Sequence, residues 1–284
     1  MHFIAILNFS HYNIFMMKNF STIDIGVNLS NKQFEHDLNQ VLVRAFENQV
    51  EKMILTTVDE KSYFDNLILC EKYPQQLWTT YGLHPHQAKK LSYFIQKTST
   101  PFSKQVVAIG EFGLDYFRLF SSREEQIQAY EYFLNLSNNY SYPLFLHERH
   151  AFQDFISIFK NFSIQNKAIV HCFTGNKKEA TSYLDLGMYI GLTGWITDTK
   201  RNQSILDALP FIPLDRLLIE TDAPYLKPRN FSYKSSRNEP AFLVYILDFL
   251  SERYSIQKEK LADILYQNTL QVFPHIQPQK KLTL

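Results

Sequence analysis

The sequence predicts an α/β chain closed into a (β/α)8 TIM barrel, and three observations carry that prediction. Short β-branched runs alternate with stretches of helical periodicity eight times, the pattern of a parallel sheet wrapped by helices. The runs are apolar on both faces, as strands buried between two layers must be. Ionisable residues stand at the C-terminal ends of several runs, on the face where barrels keep their chemistry.

The first run is 22–28 (TIDIGVN). In the stretch 34–46 after it, Phe34, Leu38, Val41, Leu42, Ala45 and Phe46 recur at helical spacing. Runs at 53–58, 78–84 and 106–111 follow. Ile127, Tyr130 and Leu134 mark a helix before the run at 143–147, and Phe152, Phe155, Ile156 and Phe159 mark one after it. The run at 168–172 leads through Ala180, Tyr183 and Leu184 to that at 188–193, and 216–222 is the eighth. Pro240 suits the first position of a helix carrying Phe242, Leu243, Ile246 and Phe249, and a last helix turns Leu261, Ile264 and Leu265 inward. Residues 22–284 therefore read as one barrel domain, close to the ~250 residues typical of that fold. Residues 1–21 read as a loosely attached N-terminal tail.

Composition narrows the function classes. With 45% hydrophobic and 20% charged residues the chain has an ordinary soluble balance. A net charge of +1 gives no global field for a polyanion, so any nucleic-acid site has to be a local patch. Cys70 and Cys172 supply no disulfide framework and suit a reducing compartment, which we read as the cytoplasm. No run reaches the ~18 apolar residues of a membrane span. The apolar start is broken by Asn8, Ser10, His11 and Asn13 and has no basic lead, which makes it a poor signal peptide. A monomer without a membrane partner is expected.

The chemistry sits in polar residues at the ends of buried strands. Glu111 closes run four, His147 run five and Asp222 run eight, while His171 falls late in run six. A buried charge without a partner is costly. Two imidazoles and two carboxylates converging on one barrel mouth suit a divalent-metal shell. The intervals of 36, 24 and 51 residues fit one, one and two βα units, so all four side chains can reach that mouth.

Seven stretches carry a resemblance: GLHPH (82–86), VVAIGEFGLDY (106–116), PLFLHERHA (143–151), IVHCFTG (169–175), YIGLTGW (189–195), LLIETDAPYLKPR (217–229) and SSRNEPA (235–241). On these the chain resembles the TatD family of metal-dependent deoxyribonucleases, from Ile23 to about Phe273. The resemblance implies an amidohydrolase-like barrel and a 3′→5′ exonuclease acting on single-stranded DNA. It implies Mg²⁺, or Mn²⁺ or Zn²⁺, held by Glu111, His147, His171 and Asp222. Asp222 would also be the catalytic base that takes the proton of the attacking water.

Two departures and several weaker residues complete the reading. Many family members open strand one with a His-x-His pair, whereas this chain has Gly26 and Asn28 there. One tight metal site is therefore expected, and Gly26→His with Asn28→His should strengthen a second, if the strand accepts the bulk. His150 stands where the family often has Asp. His84, beside a Pro-fixed turn, and Arg237, through its planar fork, are expected to bind substrate phosphate, with Lys227, Arg229 and Lys234 extending that rim. Glu239 is read as orienting Arg237, Cys172 as packing, and Tyr116, Phe117 and Phe173 as possible base-stacking groups. The same shell could serve an amidohydrolase-type enzyme acting on an amide or lactone, or a non-catalytic nucleic-acid binder.

Overall fold

A computed structural model of the chain describes residues 20–98 and 102–276. The expected tail lies outside the described residues except for Phe20 and Ser21. Phe20 packs against the core under the Lys258 ammonium.

Eight parallel strands line up in sequence order: β1 Thr22–Val27, β2 Val50–Leu55, β3 Leu77–Tyr81, β4 Val106–Asp115, β5 Leu144–Arg149, β6 Ala168–Val170, β7 Tyr189–Leu192 and β8 Leu217–Ile219. Between and after them run α1 Leu38–Glu47, α2 Glu60–Lys72, α3 Leu91–Thr98, α4 Arg123–Ser137, α5 Phe152–Lys160, α6 Lys177–Asp185, α7 Gln203–Ala208, α8 Leu243–Tyr254 and α9 Lys258–Val272. Helix starts follow local chemistry. Ser122 and Glu125 form a reciprocal cap on α4, as Asn176 and Glu179 do on α6.

Several boundaries differ from the sequence reading by a few residues, and two of them have a local cause. Helix α1 begins at Leu38, because Asn31 accepts from Gln33 N and turns Lys32–Phe34 into a separate 3-10 turn. Strand β4 continues four residues beyond Glu111 to Asp115. It does so across Gly113, whose φ of +148° and close approach to the His147 carbonyl leave no room for a side chain.

The barrel closes between β8 and β1 just past the end of β8. Asp222 N donates to Gly26 O and Asn28 N to Ala223 O, both at 2.8 Å. The buried Asp24 carboxylate bridges the same seam, accepting from Thr221 N and Thr221 Oγ1. One apolar layer lies between strands and helices. A second fills the barrel itself, with Ile23, Ile25, Trp78, Val107, Phe145 and Leu218, and the residues Val272, Phe273 and Ile276 pack onto it. The strand C-termini are left to form the opposite, open face.

Candidate metal centre

A cleft of about 720 Å³ opens at the C-terminal ends of the strands, with His84, Glu111, His147, His171 and Asp222 in its walls. Each arrives from its own strand end. His84 follows β3 and caps the turn Pro85–Lys90, Glu111 and His147 lie within β4 and β5, His171 follows β6, and Asp222 lies just past β8. Glu111 is at the centre. Its Oε1 is 2.7 Å from His147 Nδ1, 2.7 Å from His171 Nε2 and 3.4 Å from His84 Nε2. The two imidazole nitrogens of His147 and His171 are 3.2 Å apart.

Electrostatics follow from that crowding. Burial alone would raise the Glu111 carboxyl, but the surrounding histidines hold it well below its ordinary value. Burial would lower His171, yet Glu111 and Glu220 beside it hold it well above its ordinary value. His84, with more burial than compensating charge, is pushed down to about 3. Burial pushes the Asp222 carboxyl up to about 7. Its Oδ1 accepts from Asn28 Nδ2 at 3.0 Å, so the strand-one residue that stands in a histidine's place grips this carboxylate.

The donor set fits a divalent ion. Two ligand atoms each ~2.1 Å from an ion and at right angles to one another stand ~3 Å apart, which is the spacing among Glu111 Oε1, His147 Nδ1 and His171 Nε2. On the far side of each ring is a carboxylate. His147 Nε2 is 3.5 Å from Asp115 Oδ2, and His171 Nδ1 is 3.4 Å from Glu220 Oε2. Those contacts are too long or too poorly aligned for hydrogen bonds, which leaves both ring nitrogens and Glu220 Oε2 unpaired. A carboxylate behind an imidazole is the arrangement that aims a metal-binding histidine.

His84 plays a different part, although its side chain, with those of Glu111 and His147, brings ligand atoms within 4.8 Å of one another. Its Nδ1 accepts from His86 N at 3.0 Å. In the neutral ring the proton therefore sits on Nε2, which makes the atom facing the cleft a donor rather than a metal ligand.

The chain matches the family model described as TatD related DNase over residues 23–274. The chain belongs to that family. Among its relatives, a TatD 3′-5′ ssDNA/RNA exonuclease of Pectobacterium parmentieri is 40% identical, over 88% of this chain and 98% of that protein. One of Erwinia tasmaniensis with the same description is 44% identical, over 79% and 88%. Among solved structures, a TatD family hydrolase from Entamoeba histolytica superposes with a TM-score of 0.80 at 28% identity, covering 89% of this chain and 98% of that one. The TatD homologue YJJV of Escherichia coli gives 0.79 at 28%, covering 91% and 99%.

Within this TatD-family site, some expectations need correction. Arg237 is not among the cleft residues. Its guanidinium is held by Asp37 Oδ1 and Oδ2 at 2.8 and 2.6 Å and by Glu239 Oε1 at 2.8 Å. Glu239 does meet Arg237, and grips Arg44 as well. Lys227 donates to the Tyr233 and Ser235 carbonyls. Cys172, read as packing, lines the cleft, because its backbone turns to φ +48° after His171. Phe173 is buried and Tyr116 bonds Asp154, so Phe117 alone of the three aromatics is exposed.

A histidine at Gly26 has no room, since even a Cβ there would lie 2.2 Å from Glu220 Oε2. Asp115, Glu148 and Glu220 were missed. Asp115 also meets His86 Nε2 at 2.8 Å, and Glu148 accepts from Ala151 N and Tyr183 Oη. Asp115 had a signal, because it lies four residues beyond Glu111 and strand alternation puts it on the same face.

Proposed function

We propose that this chain is a metal-dependent 3′→5′ exonuclease that hydrolyses phosphodiester bonds of single-stranded nucleic acid, DNA above all. One observation carries the reading: a carboxylate and two imidazoles, two from within strands β4 and β5 and one just past β6, meet at metal-ligand spacing in an open cleft. Membership of the TatD related DNase family and the naming of its relatives support the substrate.

Glu111, His147 and His171 would hold one tightly bound divalent ion, with Asp222 as the fourth ligand. Mg²⁺ is our assignment, and the mixed nitrogen and oxygen set would also accept Mn²⁺ or Zn²⁺. When bound, such an ion supplies Lewis-acid charge that draws electron density from a phosphoryl oxygen. Asp222, bonded through one oxygen to Asn28, would take the proton of the attacking water. His84 Nε2–H donates to a phosphoryl oxygen and stabilises the charge that builds there. Asp115 and Glu220, at 3.5 and 3.4 Å behind His147 and His171, would aim the two rings once those contacts tighten into hydrogen bonds.

Among the described residues no helix is long and apolar enough to cross a membrane. A monomer working in the cytoplasm is part of the proposal. The test is to incubate the protein with single-stranded DNA labelled at either end, across a panel of divalent ions and EDTA. Stepwise loss from the 3′ end, stopped by EDTA and by Glu111→Ala, supports the reading. No release of nucleotides with any ion would defeat it.

A further inference from the structure

We propose that Arg149, braced by Phe117, is the residue that grips the phosphate backbone of a single strand at this cleft, an inference that rests on the nuclease reading. Three observations lead there. Arg149 follows His147 by two residues at the end of β5, so strand alternation sends both side chains toward the same mouth, and Arg149 lines the cleft. Among the described residues no carboxylate pairs with its guanidinium. Arg201, also in the cleft wall, is instead paired with Asp198, and Arg237 with Asp37 and Glu239. Arg118 lines the cleft without a carboxylate partner too, but among the described residues no aromatic ring lies against it.

The third observation is the brace. The Arg149 guanidinium lies 3.9 Å from the centre of the Phe117 ring. Stacking on an aromatic face fixes the plane of the guanidinium while its N–H groups, which lie in that plane, stay free to donate. A flat fork held this way matches two oxygens of one phosphate. Phe117 is 51% exposed, so the face of the stack stays open to a strand in the cleft. Its loop is tied down by Asp115 Oδ1, which accepts from Phe117 N and Arg118 N, both at 2.9 Å. The other oxygen of that carboxylate faces His86 and His147, so the strand grip and the metal centre share one support.

The test is the salt dependence of strand binding. Asp222→Asn is used as the parent to silence turnover, and its affinity for a fluorescent single-stranded oligonucleotide is followed by anisotropy over a range of KCl with Mg²⁺ present. Adding Arg149→Ala should weaken binding roughly tenfold and reduce the slope of log affinity against log salt by about 0.7, one phosphate's share on a single strand. Arg149→Lys keeps the charge and should keep the slope while losing affinity, which also answers for Arg149→Ala should that variant fold poorly. Phe117→Leu should weaken binding with the slope retained. Arg237→Ala should leave the slope as it is.

An unchanged affinity and slope in Arg149→Ala overturns the assignment. So does a slope lost in Arg237→Ala instead, or a parent that binds no strand. A wild-type protein that binds the strand through Arg149 yet releases no nucleotide would sink the nuclease reading and leave this one standing.

Discussion

Gly26→Ala adds one methyl group at the one place on β1 where the structure has no space for it. The new Cβ would lie 2.2 Å from Glu220 Oε2 and 3.0 Å from Phe145 Cζ. Glu220 cannot swing away freely. It is fully buried, its Oε1 accepts from Cys172 N, and a Cβ built on Gly191 would lie 2.9 Å from that same oxygen, so only the absence of a side chain there gives the carboxylate its room. Overpacking of this kind costs ~1–3 kcal/mol, and a buried donor stripped of its acceptor costs a further ~1–3 kcal/mol. Restricting the unfolded chain returns ~0.4–1 kcal/mol. The net loss is about 3 kcal/mol, and at ~2–4 °C per kcal/mol for a domain of this size the melting temperature should fall roughly 6–12 °C. Calorimetric melts of the wild type, Gly26→Ala, Glu220→Ala and the double variant would read this. The double variant should lose less than the sum of the singles, because the two groups compete for one space. A Gly26→Ala protein melting with the wild type would refute the claim that the Glu220 carboxylate is fixed there.

Other outcomes are expected. Glu111→Ala, His147→Ala, His171→Ala and Asp222→Ala should each nearly abolish turnover and lower metal content while the far-ultraviolet circular dichroism is kept. Normal nuclease rates in any two of them would disprove the site. Asp115→Asn should weaken metal binding ~10–100-fold, the usual effect of losing a carboxylate that supports a ligand, as read by titration calorimetry. Arg237→Ala should cost about 1–2 kcal/mol in chemical denaturation, since the buried Glu239 keeps Arg44 alone. Arg237 holds the Asp37 carboxyl below its ordinary value. A lowered folded-state pKa gives stability that is present above the unfolded value and lost as pH falls through the lowered one. The gap between Arg237→Ala and the wild type should therefore narrow below pH ~4. Removing residues 1–15 should leave melting temperature and turnover unchanged, and a drop of several degrees would contradict it.

What the sequence disclosed tracks the range of the forces involved. Strand number, order and the positions of Glu111, His147, His171 and Asp222 follow from local periodicity and from polar residues set against apolar runs. Strand β4 reads short because Gly113 looks like a break, when it is a point where β5 comes close, and the alternation that carries Asp115 onto the Glu111 face runs across that glycine. Arg237 sits among cations along the chain and so looks like a phosphate ligand. The acid that claims it, Asp37, is 200 residues away, beyond what spacing reveals. The Asp24 bridge to Thr221 spans 197 residues and depends on closure of the barrel. Glu220, next to a recognisable strand end, gave no hint that Gly26 and Gly191 make its room.

The floor of the barrel carries a consequence for synthesis. Val272, Phe273 and Ile276 seal the inner apolar layer, yet all of them are made after the eighth strand. Every proposed ligand, and Arg149, precedes them in the chain. Domains fold as units, and incomplete ones expose surface that invites aggregation and quality control. A transcript broken shortly before codon 272 would encode each ligand and the Arg149 grip, and still give a product without its stopper. The last described residues thus close the apolar interior and share no residue with the cleft.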